Sequence, residues 1–216
     1  MKNQAAETTE LVFILDRSGS MGGLESDTIG GFNSVIEKQK KIEGAARVTT
    51  VLFDDKVELL HDRVDLATIA PMTSKDYFVR GCTALLDAVG STVKRINKTQ
   101  KASAEGRPDH TIVVIITDGM ENASRQFTFD QVRKLIERRE SKNGWEFMFM
   151  GANMDAIAAA GSIGIHADRA ATFVNDSIGQ ATVYAACDMA MTSMRCGCAP
   201  GAEWKDSIEK DYAKRG

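Results

Sequence analysis

The chain has 216 residues and a mass of 23.5 kDa, with 27 Lys and Arg against 30 Asp and Glu, a formal charge of −3. That length fits one α/β core, which runs to about 200–250 residues before splitting, and 43% hydrophobic with 26% charged residues excludes collagen-like, disordered and disulfide-dense classes. The slightly acidic balance argues against a dedicated nucleic-acid or anionic-membrane binder, because such proteins concentrate positive charge to displace counterions.

In chain order, residues 1–10 read as a polar N-terminal extension without the apolar core of a secretory signal. With no apolar run near the 18–20 or so residues of a membrane span, the expected address is cytoplasmic. Leu11 to Leu15 is a continuous apolar run rich in strand formers, followed at once by Asp16. A helix is expected over residues 24–41. Val48 to Phe53 and Val57 to Leu60 flank the turn-like Asp54-Asp55-Lys56 and should form an antiparallel hairpin at a sheet edge.

The second helix, over 84–97, carries its apolar stripe on Ala84, Leu85, Ala88, Val89, Val93 and Ile96. Thr99 to His110 reads as an exposed loop, broken by Gly106 and Pro108. Thr111 to Ile116 is a second buried strand, and Thr117-Asp118-Gly119 follows it. A third helix over 129–141 has Thr128 as N-cap and Gly144 as stop. Glu146 to Met150 is a strand ended by Gly151, and helices follow over 155–160 and 176–195. Residues 11–196 thus read as one domain, and 197–216 as a polar tail or short helix carrying Trp204.

Strands alternating with helices define an open, doubly wound, mostly parallel sheet with helices on both faces. Such sheets bind ligands at the carboxyl ends of their central strands. Asp16, Ser18 and Ser20 alternate there, and Gly19 lets the turn close so that one carboxylate and two hydroxyls converge. Asp118 arrives at the same edge, and Thr83 stands just ahead of the second helix. This all-oxygen set of charge −2 suits a hard divalent cation, Mg²⁺ or Mn²⁺, and fits zinc poorly.

Taken singly, these residues could equally be helix caps or turn formers. Their order, Asp-x-Ser-x-Ser followed by a distant Thr and a distant Asp, resembles the metal-ion-dependent adhesion site of von Willebrand factor type A (VWA) domains, over about residues 11–178. The resemblance implies a six-stranded sheet with one antiparallel edge strand, and metal held by Asp16, Ser18, Ser20, Thr83 and Asp118. It also implies a partner protein whose acidic side chain completes the coordination, by family analogy an ATPase, kinase or phosphatase. The Thr117 to Asn122 string is closest to the bacterial, intracellular-type branch.

The competing reading is a haloacid-dehalogenase-type phosphatase, in which the strand-end Asp is a nucleophile. It needs a second Asp two residues on, and Ser18 cannot serve as that acid, so the chain is read as a non-enzyme. Gly19, Gly22 and Gly23 do not make a dinucleotide or phosphate loop. His61, His110 and His166 read as surface or satisfied-core residues, and Cys82 as a packed thiol. Cys196 and Cys198 lack the further ligands of a tetrahedral zinc site, and all four cysteines are expected to be reduced.

Overall fold

The computed structural model describes residues 7–104 and 106–216. Its strands are β1 (Thr8–Asp16), β2 (Ala45–Phe53), β3 (Val57–Asp65), β4 (His110–Thr117), β5 (Glu146–Ala152) and β6 (Ala170–Phe173). The helices are α1 (Glu25–Gln39), α2 (Leu85–Ala102), α3 (Phe129–Asn143), α4 (Ala156–Ser162), α5 (Ser177–Arg195) and α6 (Asp206–Arg215). The sheet order is β3-β2-β1-β4-β5-β6, parallel throughout except for β3, which runs antiparallel at one edge.

Strand residues point alternately to the two faces. In β1, Leu11, Phe13 and Leu15 join a core with Phe32 and Val35 of α1, Val183 and Met191 of α5, and Trp204 and Ile208 of the tail. Val12 and Ile14 face the opposite core, with Val89 and Val93 of α2, Val132 and Ile136 of α3 and Ala160 of α4. Burial on both sides is why β1 and β4 read as unbroken apolar runs. Each fully buried Leu, Ile or Phe contributes about 1.5–3 kcal/mol. α1 and α5 approach closely because Gly31 has no Cβ; one there would lie 2.1 Å from the Tyr184 ring.

The ends of α3 are set locally. Thr128 accepts from the Gln131 amide and Gln131 reaches back to the Thr128 amide, a complete capping box, while Gly144 turns left-handed at φ 61°.

Several expectations need correction. β1 starts at Thr8, inside the stretch read as an extension. α2 runs through Ala102 into the expected loop, because buried Gln100 donates to Glu10 and Thr111 and fixes the last turn. Gly151 lies within β5 rather than ending it; a Cβ there would meet the Met154 side chain at 2.9 Å. Cys82 is exposed, not packed. Gly81 is left-handed at φ 67°, and Thr83, next to Cys82, is the buried side chain of this turn. The strand β6, which no apolar run signals, completes the sheet. Among the described residues, no helix is long and apolar enough to cross a membrane.

Candidate metal centre

β1 and β4 are adjacent central strands whose onward connections lead to opposite sides of the sheet, the arrangement that opens a crevice at their carboxyl ends. Leu15 pairs with Ile116, so Asp16 and Thr117 reach the edge at the same level. The Thr117 hydroxyl donates to Oδ2 of Asp16 at 2.5 Å, and Oδ1 accepts from the Ser18 amide at 2.7 Å. Tyr77, itself buried, donates its hydroxyl to the Asp16 carbonyl. Asp16 is therefore held from three directions.

The remaining expected residues converge on it. The Ser18 and Ser20 hydroxyls lie 3.1 Å apart, and Ser20 donates to Oδ1 of Asp118 at 2.6 Å. Thr83 is 2% exposed and presses on the turn after Asp118, since a Cβ on Gly119 would lie 2.5 Å from its Oγ1. The structure thus brings all five residues to one edge. Ser18, the N-cap of the 3₁₀ turn Gly19–Met21, makes no side-chain cap bond, and the N-cap position of α2 is Ala84 rather than Thr83. Asp16 does form the tight turn through the Ser18 amide, so it is both a turn former and a member of the site.

The loops around the edge are fastened by carboxylates that are thereby occupied. Glu121 accepts from the Leu86, Ala123 and Ser124 amides, and Asp87 from those of Arg125, Gln126 and Phe127. Asn122 accepts from the Thr83 amide at 2.9 Å and fixes that residue's backbone. Arg17, fully buried, pairs with Asp54 at 2.9 Å and Glu58 at 2.6 Å, and Arg80 adds a second contact to Asp54.

Burial pushes the Asp16 carboxyl up to about 6 against the hydrogen bonds from Thr117 and Ser18, and the nearby Asp118 charge adds to the rise. Burial also raises Asp118, despite hydrogen bonds from Ser20 and Asn175. Two desolvated carboxylates at one point lack positive charge, a deficit that a divalent cation would relieve. The donors are all oxygen, and no cluster of three or more His, Cys, Asp or Glu is disposed to hold a metal among the described residues. Cys196 and Cys198 are exposed free thiols. His61 stacks on Phe32 and bonds Thr50 away from the site.

Asn175, in the turn between β6 and α5, is a site residue that sequence reasoning missed. Its Nδ2 donates to Oδ2 of Asp118 at 2.9 Å, and its amide bonds Asn153.

A six-stranded doubly wound sheet with an oxygen-lined crevice at its switch point defines the class. The chain has the VWA fold. The vWF domain of the type V pili tip protein Mfa5 from Porphyromonas gingivalis superposes with a TM-score of 0.62 at 14% identity, covering 91% of this chain and 98% of that one. Proximal thread matrix protein 1 of the mussel byssus, with a zinc-occupied MIDAS motif, gives 0.60 at 13% identity over 87% of this chain. The PilB minor pilin of Streptococcus sanguinis gives 0.59 at 11% identity over 88% of this chain and 63% of its own. The chain spans 46% of the byssus protein's length. No protein-family model and no curated protein sequence matches it.

Proposed function

We propose that this protein is a metal-dependent protein-interaction module. It holds Mg²⁺ or Mn²⁺ through Asp16, Ser18, Ser20, Thr83 and Asp118 and engages an Asp or Glu of a partner. The observation that carries this is the hydrogen-bonded line from Ser18 through Ser20 to Asp118, set beside Asp16, with both carboxyls pushed up by burial.

A divalent cation here supplies the positive charge that the two carboxylates lack and an electrophilic position open to an outside oxygen. The chain's own residues supply the rest. Thr117, the Ser18 amide and Tyr77 orient Asp16; Ser20 and Asn175 orient Asp118; and the neutral hydroxyls keep the donor set low in charge. A partner carboxylate is then attracted only when the cation is present, so binding is conditional on the ion.

Ser18 stands where a phosphatase would carry its acid, and the histidines lie elsewhere, which supports a site that binds without turnover. Four unpaired cysteines, three of them exposed, support a reducing, cytoplasmic setting. Calorimetric titration with Mg²⁺, Mn²⁺ and Zn²⁺ tests the site: one binding event is expected, lost in Asp16→Ala. The zinc arm matters because the byssus neighbour carries that ion. Unchanged metal binding in Asp16→Ala sinks the assignment, and phosphatase turnover abolished by Asp16→Asn would favour the enzyme reading.

A further inference from the structure

Beside the metal site lies a hollow of about 500 Å³, lined by Leu85, Phe149, Met154 and Ala158 among others, with Met120 and Phe129 at its mouth. Asp118 forms part of its wall, so the hollow begins at a residue of the metal centre itself. Its volume is many times the roughly 30 Å³ a water occupies in the liquid. Met120 is 76% exposed and Phe129 45% exposed. Large apolar side chains gathered around a concavity mark a binding surface rather than ordinary surface scatter.

The local backbone is specified to shape this hollow. Gly151 has no Cβ to collide with the Met154 thioether, and Asn153 adopts the left-handed conformation at φ 50°, which turns β5 into α4. Methionine suits such a wall because its flexible, polarisable side chain adapts to the shape it meets. The charged groups on the lining are Asp118, Glu121 and Asp155, and neither lysine nor arginine lines it among the described residues. Without a cation the rim therefore repels a carboxylate.

We propose that this hollow receives a bulky apolar side chain, such as Phe, Leu or Met, of the same partner segment whose carboxylate reaches the metal. Because Asp118 belongs to both surfaces, the two side chains stand within one to three residues of each other, a reach of at most about 3.3–3.6 Å per residue. The partner is thus an exposed segment in which an Asp or Glu sits beside a large apolar residue. The inference rests on the metal-dependent reading above.

The test uses the full chain with saturating Mg²⁺ and blocked glycine-rich peptides. Each peptide carries one Glu, with Phe placed one, two or three residues away on either side, and a matched Ala peptide serves as control. Affinity is read together with the ¹³C-methyl NMR signals of Met120 and Met154. At the best spacing the Phe peptide should bind about tenfold or more tightly than its Ala control, the factor expected for burying one such side chain. It should also shift the Met154 methyl. Ala158→Trp, a substitution on α4 outside the five metal-site residues, narrows the hollow and should abolish the preference while leaving Mg²⁺-dependent binding of the Ala peptide intact.

Mg²⁺-dependent binding with no Phe preference at any spacing, or with silent methyls, overturns the proposal and leaves the metal reading standing. Peptides that bind as tightly in EDTA as in Mg²⁺, with or without Phe, instead overturn the metal-dependent reading and the coupling to it. Absence of binding by every peptide in both conditions overturns both.

Discussion

Asn175 donates to one oxygen of Asp118 at 2.9 Å while Ser20 occupies the other, so the turn after β6 reaches across the sheet edge to fix a carboxylate delivered by β4. Partners that orient a metal-site carboxylate typically alter affinity by about 10–100-fold when removed. Asn175→Ala should weaken Mg²⁺ binding by about tenfold or more while the melting temperature in EDTA stays close to that of the parent. Calorimetry and thermal unfolding together decide it. Equal affinity in the variant would mean that Ser20 alone positions Asp118.

Gly119 is constrained by contact rather than by backbone angle. A Cβ there would stand 2.5 Å from Oγ1 of Thr83 and 3.4 Å from its Cβ and Cγ2. Gly119→Ala must therefore push the Thr83 hydroxyl aside, at a cost of about 1–3 kcal/mol. Mg²⁺ affinity should fall to the level of Thr83→Ala, and the double variant should show no further loss. Additive losses in that cycle would show that the two residues act independently.

The tail is built into the fold. Trp204 is 3% exposed and donates its indole N–H to the Asp168 carbonyl at 2.8 Å, while Lys205 donates to the Ala167 and Ala170 carbonyls. These contacts hold the turn Ala167–Arg169 and the first residue of β6, a four-residue edge strand whose one strand partner among the described residues is β5. Trp204→Ala should cost about 3–5 kcal/mol, as truncation of a buried aromatic does. Loosening that edge strand should also increase aggregation during refolding, measurable by light scattering. A loss below about 1 kcal/mol in urea unfolding would mean that the tail does not support the sheet.

What the sequence revealed and what it concealed follow from range of interaction. β1 and β4 were legible because burial on both faces writes a continuous apolar run. The Asp16-Ser18-Ser20 alternation was legible because it lies within one turn. β6, Ala-Ala-Thr-Phe, carries no such pattern and exists through pairing with β5 and the contacts of Trp204 and Lys205. The last turn of α2 was hidden by the nearby Gly106 and Pro108, because its anchor is Gln100 bonding to Glu10, 90 residues away. The supports of the site were equally silent. Tyr77, Thr117 and Asn175 bond Asp16 or Asp118 across 61, 101 and 57 residues; Thr117 stands next to Asp118 in the sequence but bonds Asp16, and nothing near Tyr77 or Asn175 announces their bonds.

The ion pair beneath the site gives the protein an acid-sensitive element. Arg17 and Asp54 are both fully buried, and Arg80 and the Lys56 amide also bond Asp54. Burial alone would raise the Asp54 carboxyl. The hydrogen bonds from Arg80 and the Lys56 amide, with the Arg17 charge, outweigh it and hold the group below its ordinary 3.8. A carboxyl whose native value lies below its unfolded value contributes stability fully at pH well above 3.8, and that contribution is lost as the pH falls through the native value. Asp54→Ala leaves Arg17 buried with reduced compensation and should cost about 3–5 kcal/mol at neutral pH. Asp54→Asn keeps the shape but not the charge. The stability difference between parent and Asp54→Asn should be constant above about pH 5 and shrink below about pH 4, in urea unfolding series run at each pH. A difference that persists unchanged at pH 3 would show that Asp54 acts there through hydrogen bonding alone and not through its charge.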